Sequence, residues 1–117
     1  MDRKAEGDAR EGEARAVLER AGLRTVGQNV RYRVGELDLV MLDGDVLVFV
    51  EVRYRRPHDF GGALASVTQG KQRKLARAAA SYLAQHPQHA RRACRFDVVA
   101  IDDGGPEWVR DAFRLDG

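Results

Sequence analysis

Gly35-Glu36-Leu37-Asp38-Leu39-Val40-Met41-Leu42 and Val46-Leu47-Val48-Phe49-Val50-Glu51-Val52-Arg53-Tyr54 flank Asp43-Gly44-Asp45. Two apolar, Val-rich runs around an Asp-Gly step read as a β-hairpin, because Asp and Gly tolerate the positive φ of tight hairpin turns. A type I′ turn at Asp43-Gly44 pairs Leu42 with Asp45, which sets Glu36 opposite Glu51 and Asp38 opposite Phe49. Sliding the turn to Gly44-Asp45 sets Asp38 directly opposite Glu51 and keeps the same face; a three-residue loop would reverse it. In either two-residue register Glu36, Asp38, Glu51 and Arg53 share one face, with Asp38 and Glu51 close enough to hold one ion. Like charges opposed across a sheet destabilise it unless a cation neutralises them, as an oxygen-loving ion such as Mg²⁺ or Mn²⁺ does. The bland alternative is a solvated hairpin face, but Leu47 and Phe49 lie on that face too and mix large apolar groups with the charges.

Upstream, Ala14, Val17, Leu18 and Ala21 recur at helical spacing, with Asp8 as the expected N-cap and Gly22 as the stop. Residues 1–7 are polar and are expected to form a disordered tail, leaving 8–117 as a single domain. Leu23 to Val34 is strand-like but ragged. Downstream, residues 56–67, punctuated by Pro57 and Gly61-Gly62, read as a loop. Thr68 then caps a second helix with a buried stripe of Leu75, Ala78, Ala79, Tyr82 and Leu83, ended by His86-Pro87. Arg95 to Ile101 reads as a strand, and Trp108 to Phe113 as a last edge strand. The order αβββαβ(β), with a helix crossing over between the third and fourth strands, predicts an α/β fold with a mixed sheet flanked by helices.

Both helices offer candidates for the site. Glu11 lies three and seven residues before Ala14 and Leu18, at the inward edge of its stripe. Gln72 is placed likewise on the second helix, flanked by Lys71 and Lys74. The formal charge of +2 divides unevenly: Arg53 to Arg95 carries ten bases against one acid, Asp59, whereas the rest of the chain sums to −7. An acidic pocket beside a basic surface that includes Arg55, Arg56, Lys71, Arg73, Lys74 and Arg77 suits a nucleic-acid partner, and phosphate contacts alone do not separate DNA from RNA.

Other chemistries fit poorly. The Gly70-Lys71 step lacks the first Gly and the Ser/Thr of a P-loop. His86, His89 and Cys94 make a poor zinc set and read as surface residues. No Cys or Ser sits in a recognisable nucleophile setting. The longest apolar run, Val46 to Val50, is far shorter than the roughly 20 residues of a membrane helix. With a single Cys and no apolar leader, a cytoplasmic protein without membrane contact is expected.

Gly35-Glu36-Leu37-Asp38-Leu39, Val48-Phe49-Val50-Glu51-Val52-Arg53-Tyr54-Arg55, Phe60-Gly61-Gly62 with Ser66-Val67-Thr68 and Lys71-Gln72, and Arg95-Phe96-Asp97-Val98-Val99 together resemble the successive motifs of the bacterial YraN-like family of predicted endonucleases. The likeness runs from about Glu11 to Phe113. It implies a restriction-endonuclease-like PD-(D/E)xK core, similar to archaeal Holliday-junction resolvases, and so an Mg²⁺- or Mn²⁺-dependent endonuclease acting on branched or otherwise structured DNA. By this resemblance Asp38 and Glu51 are the catalytic acids, Arg53 stands where the family has lysine, and Glu11 is the helical acid. Asp38, Glu51, the Val52 carbonyl, Glu11 and Glu36 then form the metal-ligand set, with Arg55, Arg56, Lys71, Gln72, Arg73, Lys74 and Arg77 facing nucleic acid. Kinship to resolvases also implies a homodimer. Arg stays charged and is a poor general base, so Arg53 is expected to orient phosphate, with water acidified by the ion replacing the lysine. The alternative is a non-catalytic nucleic-acid-binding or adapter protein on the same fold.

Overall fold

The computed structural model describes residues 3–55 and 67–114, with side chains from residue 7 onward. The elements run α1 (Arg3–Arg20), β1 (Arg24–Tyr32), β2 (Gly35–Asp43), β3 (Val46–Tyr54), α2 (Gln69–Gln85), a short 3-10 helix (Pro87–His89), β4 (Cys94–Asp102) and β5 (Gly105–Phe113). The five strands form one sheet in chain order. Neighbours are antiparallel except β3 and β4, which run parallel because α2 carries the chain back to the starting edge. The mixed α/β class and the crossover are therefore as expected. The Arg56 to Ser66 part of the expected loop, with Arg56 and the Phe60-Gly61-Gly62 motif, lies outside the described residues.

Each sheet face has its own core. Under α2, Val40, Leu42, Leu47, Phe49, Val98 and Ala100 pack against Leu75, Ala78, Ala79 and Tyr82. Under α1, Leu39, Met41, Val48, Val50, Val99 and Ile101 pack against Ala14 and Leu18. This division is the alternation of β2 and β3 made physical. It slips once: Leu37 packs on the α2 side although it shares parity with Leu39. Opposite that slip the β1–β2 ladder omits the Asn29–Asp38 pair, and Asn29 has φ of 52°.

The hairpin adopts the second of the two registers. Leu39 pairs with Val50, Val40 with Phe49 and Asp43 with Val46, so the turn is Gly44-Asp45 rather than Asp43-Gly44. Gly44 has φ of 59° while Asp45 is not left-handed, the pattern of a type II′ turn with Gly leading. This register stacks Leu42 on Leu47 and keeps Asp43 in the strand, where Arg95 Nη1 donates to it at 2.8 Å.

Helix α1 begins at Arg3, so Asp8 lies inside it rather than at its N-cap. The segment carries Lys, Ala, Glu and Arg, all good helix formers that continue the helix without apolar anchors. Its end is as anticipated. Gly22, at φ of 101°, lets its own N–H donate to Glu19 O and the Leu23 N–H donate to Leu18 O, the paired bonds of a Schellman cap. Leu18 and Leu23 are buried together, whereas Ala21 falls past the helix and is exposed.

Helix α2 matches expectation, with Thr68 Oγ1 accepting from the Lys71 N–H and Leu75, Ala78, Ala79 and Tyr82 buried. His89 does not: it is buried rather than on the surface. The Pro87 turn folds His86 and His89 over the Tyr82 ring, and Arg92 Nε donates to His89 Nδ1. Burial, reinforced by the Arg92 charge, pushes the His89 pKa down. On β4, Asp97 is fully buried and accepts from Arg95 Nε and Nη2, Trp108 Nε1 and the Asp111 N–H.

Candidate functional site

The carboxylates converge where α1, β2 and β3 meet. Asp38 is central. Its Oδ2 accepts the Val52 backbone N–H at 2.8 Å, and its side chain is hydrogen-bonded to that of Glu51. Oxygens of Glu11, Glu36 and Asp38 lie within 4.8 Å of one another, bringing the helical acid to the hairpin. Glu51 is only 4% exposed, which removes the solvated-face reading for this residue.

Two cations answer Glu51. Arg53 Nη1 and Lys71 Nζ approach the same oxygen, Oε2, at 3.6 and 3.4 Å. They do not win: burial, then the Asp38 charge and the hydrogen bond to it, push the Glu51 pKa up to about 8. Glu11 is pushed up to about 7, chiefly by burial and then by Asp38, against a lowering contribution from its hydrogen bond to Asn29. Carboxyls that resist ionising while crowded together are what a bound divalent ion would relieve. The donor set is all oxygen, which suits a hard cation such as Mg²⁺ or Mn²⁺.

The remaining candidates divide. Lys71 and Lys74 line one cleft with Arg53, Thr68 and Gly70, and both also border a second beside the β1–β2 turn. Arg73 and Arg77 are exposed on α2. Gln72 is turned inward, its Nε2 donating to Val67 O, so it ties the helix to the chain that enters it. Arg55 is engaged within the fold, its two terminal nitrogens each 3.0 Å from Asp102 and Glu107. Val52 contributes its N–H to Asp38, while its carbonyl remains an expected ligand.

Asn29 and Arg31 were not singled out by the residue pattern. Asn29 touches Glu11, and Arg31 lies 3.7 Å from Glu36 and lines the cleft along α1. The signal available for Asn29 was a polar residue tolerant of left-handed backbone, placed where β1 loses its alternation.

Fold and site together define a mixed α/β protein whose sheet, at its junction with the first helix, carries a carboxylate cluster flanked by bases. The chain belongs to the uncharacterised protein family UPF0102, whose model matches residues 10–101. It is 59% identical over 116 residues to a UPF0102 protein of Xanthomonas campestris pv. campestris (strain B100), covering 97% of this chain and 95% of that protein. Identity to a UPF0102 protein of Xanthomonas euvesicatoria pv. vesicatoria (strain 85-10) is 57% over the same shares of both chains. A UPF0102 protein of Alkalilimnicola ehrlichii matches at 53% over 108 residues, 91% of this chain and 86% of its own. The YraN-like resemblance therefore holds at the level of family. Among the described residues no helix is long and apolar enough to cross a membrane.

Proposed function

We propose that this protein is a metal-dependent phosphodiesterase that cuts DNA, built on a core of the PD-(D/E)xK type and acting on branched or otherwise structured substrates. The observation that carries the reading is the convergence of Glu11, Glu36 and Asp38, with the buried Glu51 interacting with Asp38 and lying against Lys71 at the basic start of α2. Asp38 and Glu51, with the Val52 carbonyl, hold Mg²⁺ or Mn²⁺, and Glu11 and Glu36 support that ion or a second one. The bound ion supplies Lewis-acid polarisation of the phosphate and lowers the pKa of water. Arg53, always charged, orients the scissile phosphate and offsets its charge. Lys71 and Lys74 contact flanking phosphates. Glu51 would have to give up its proton to serve as a ligand, so metal uptake would release protons and strengthen as pH rises.

The test is cleavage of branched, flapped, single- and double-stranded DNA with Mg²⁺ or Mn²⁺, beside Glu51→Gln. Metal-dependent cutting that this substitution abolishes is expected. No cutting on any of these substrates, or equal cutting by the variant, sinks the enzymatic reading.

One observation favours a second reading. Arg53 and Lys71 already approach Glu51 Oε2 from within the chain, taking up the position beside this carboxyl that an ion would need, as suits a DNA-binding or adapter protein without a metal. Calorimetry separates the two: salt-sensitive DNA binding without saturable, Glu51-dependent Mn²⁺ binding supports the adapter.

A further inference from the structure

The site's basic border extends beyond α2. The cleft of about 380 Å³ lined by Lys71 and Lys74 is closed on its other side by the β1–β2 turn, Arg31 to Glu36. The same two lysines also line the neighbouring cleft of about 360 Å³ that holds Arg53, Thr68 and Gly70. Among the described residues, five bases, Arg31, Arg33, Arg53, Lys71 and Lys74, therefore line these two adjoining clefts with a single carboxylate, Glu36, which also belongs to the acidic cluster.

The turn is held in place by close backbone packing. A Cβ on Gly35 would lie 2.8 Å from the Lys74 carbonyl oxygen, so only glycine lets β2 start this close to α2. Arg33 and Val34 then project as an exposed two-residue tip beside Lys74. This gives Gly35, the first residue of the hairpin motif, a task that the strand pattern left unexplained.

We propose that the β1–β2 turn is the second wall of a DNA-backbone track, in which Arg33 contacts a phosphate in the cleft it shares with Glu36, Lys71 and Lys74. The proposal rests on the DNA-cleaving reading for its partner. Its chemistry is the sugar-phosphate backbone: a line of bases beside a metal-ligand cluster matches a chain of phosphates with one of them at the acids. Arg31 is partly occupied by Glu36, so Arg33 and Lys74 carry most of the attraction.

The experiment measures binding without cleavage. Fluorescein-labelled duplex DNA and its single strand are titrated by fluorescence anisotropy in EDTA over a salt series. The proteins are wild type, Arg33→Ala, Arg33→Glu, Lys74→Ala and, as control, Arg20→Ala at the far end of α1. The Arg33 and Lys74 variants are expected to bind more weakly at every salt concentration, with the logarithmic salt slope reduced by about one per lost contact, while Arg20→Ala matches wild type. Gly35→Ala is expected to weaken binding in the same direction by pushing the turn off α2; the exposed Arg33 variants carry the test if that variant misfolds. Wild-type affinity and slope in Arg33→Glu, with Lys74→Ala impaired, overturn the track and leave the nuclease reading intact. Absence of salt-dependent binding by wild type overturns both.

Discussion

Asp38 Oδ2 accepts the backbone N–H of Val52 at 2.8 Å, just beyond the last paired rung of the β2–β3 ladder, Leu39 with Val50. One carboxylate thus completes the sheet and anchors the acidic cluster. The two duties separate by substitution. Asp38→Asn keeps an acceptor for Val52 and should leave stability within about 1 kcal/mol, whereas Asp38→Ala orphans that N–H at about 1–3 kcal/mol. Both should lose Mn²⁺ binding. Urea unfolding beside calorimetry checks this; undiminished Mn²⁺ affinity in Asp38→Asn removes Asp38 from the ligand set.

Stability of the ion-free protein should fall as pH rises from about 4.5 to about 8. Over that range the unfolded chain has released the Glu51 proton and the folded chain retains it, so the unfolded state binds fewer protons and unfolding becomes easier. Glu11 contributes in the same direction up to about pH 7. Below both ranges the penalty vanishes. Glu51→Gln should flatten the decline, as measured by urea midpoints in EDTA from pH 5 to 9; parallel profiles for variant and wild type would disprove the burial argument.

Removing a cation beside Glu51 should tighten metal binding while slowing any cleavage. Lys71 and Arg53 both approach Glu51 Oε2 and repel an incoming divalent ion. Even at water-like dielectric that repulsion is on the order of 1 kcal/mol, so Lys71→Met should bind Mn²⁺ roughly three- to tenfold more tightly. Its cleavage should fall by about tenfold or more, because charge opposite the reacting phosphate is lost. Weaker Mn²⁺ binding would mean that Lys71 organises the site rather than competing for it.

Asp97 gathers Arg95, Trp108 and the Asp111 N–H at full burial, clamping β5 to β4. Asp97→Ala leaves Arg95 with Asp43 alone and orphans Trp108 Nε1 and the Asp111 N–H, and should cost about 3–5 kcal/mol in chemical denaturation. A loss below 1 kcal/mol would show that β5 contributes little to the fold.

Much of this architecture was legible because it rests on local periodicity. The hairpin, the Thr68 cap, the α2 stripe and the Gly22 stop all follow from spacing and turn chemistry among neighbouring residues. The start of α1 was not, because polar helix formers carry no apolar stripe to read. The turn register was not either, since Asp43-Gly44 and Gly44-Asp45 satisfy local rules equally well. Pairing Leu42 with Leu47 and Asp43 with Arg95 decided between them across the sheet. The burial of His89 and the ion pairs of Arg55 were not legible for a similar reason: Tyr82, Arg92, Asp102 and Glu107 are distant in sequence or unmarked by motif.

By itself the sequence determined that Glu51 and Arg53 share one face of β3, since side chains alternate along a regular strand; on β2 that parity breaks between Leu37 and Leu39, where Asp38 lies. Only the tertiary structure decided that Glu11 reaches Glu36 and Asp38, that Lys71 and Arg53 meet one oxygen of Glu51, and that Gly35 seats the β1–β2 turn against Lys74. Parity is a property of one chain segment. Burial, and the proton affinity that follows from it, belongs to whatever the other segments bring within a few ångströms.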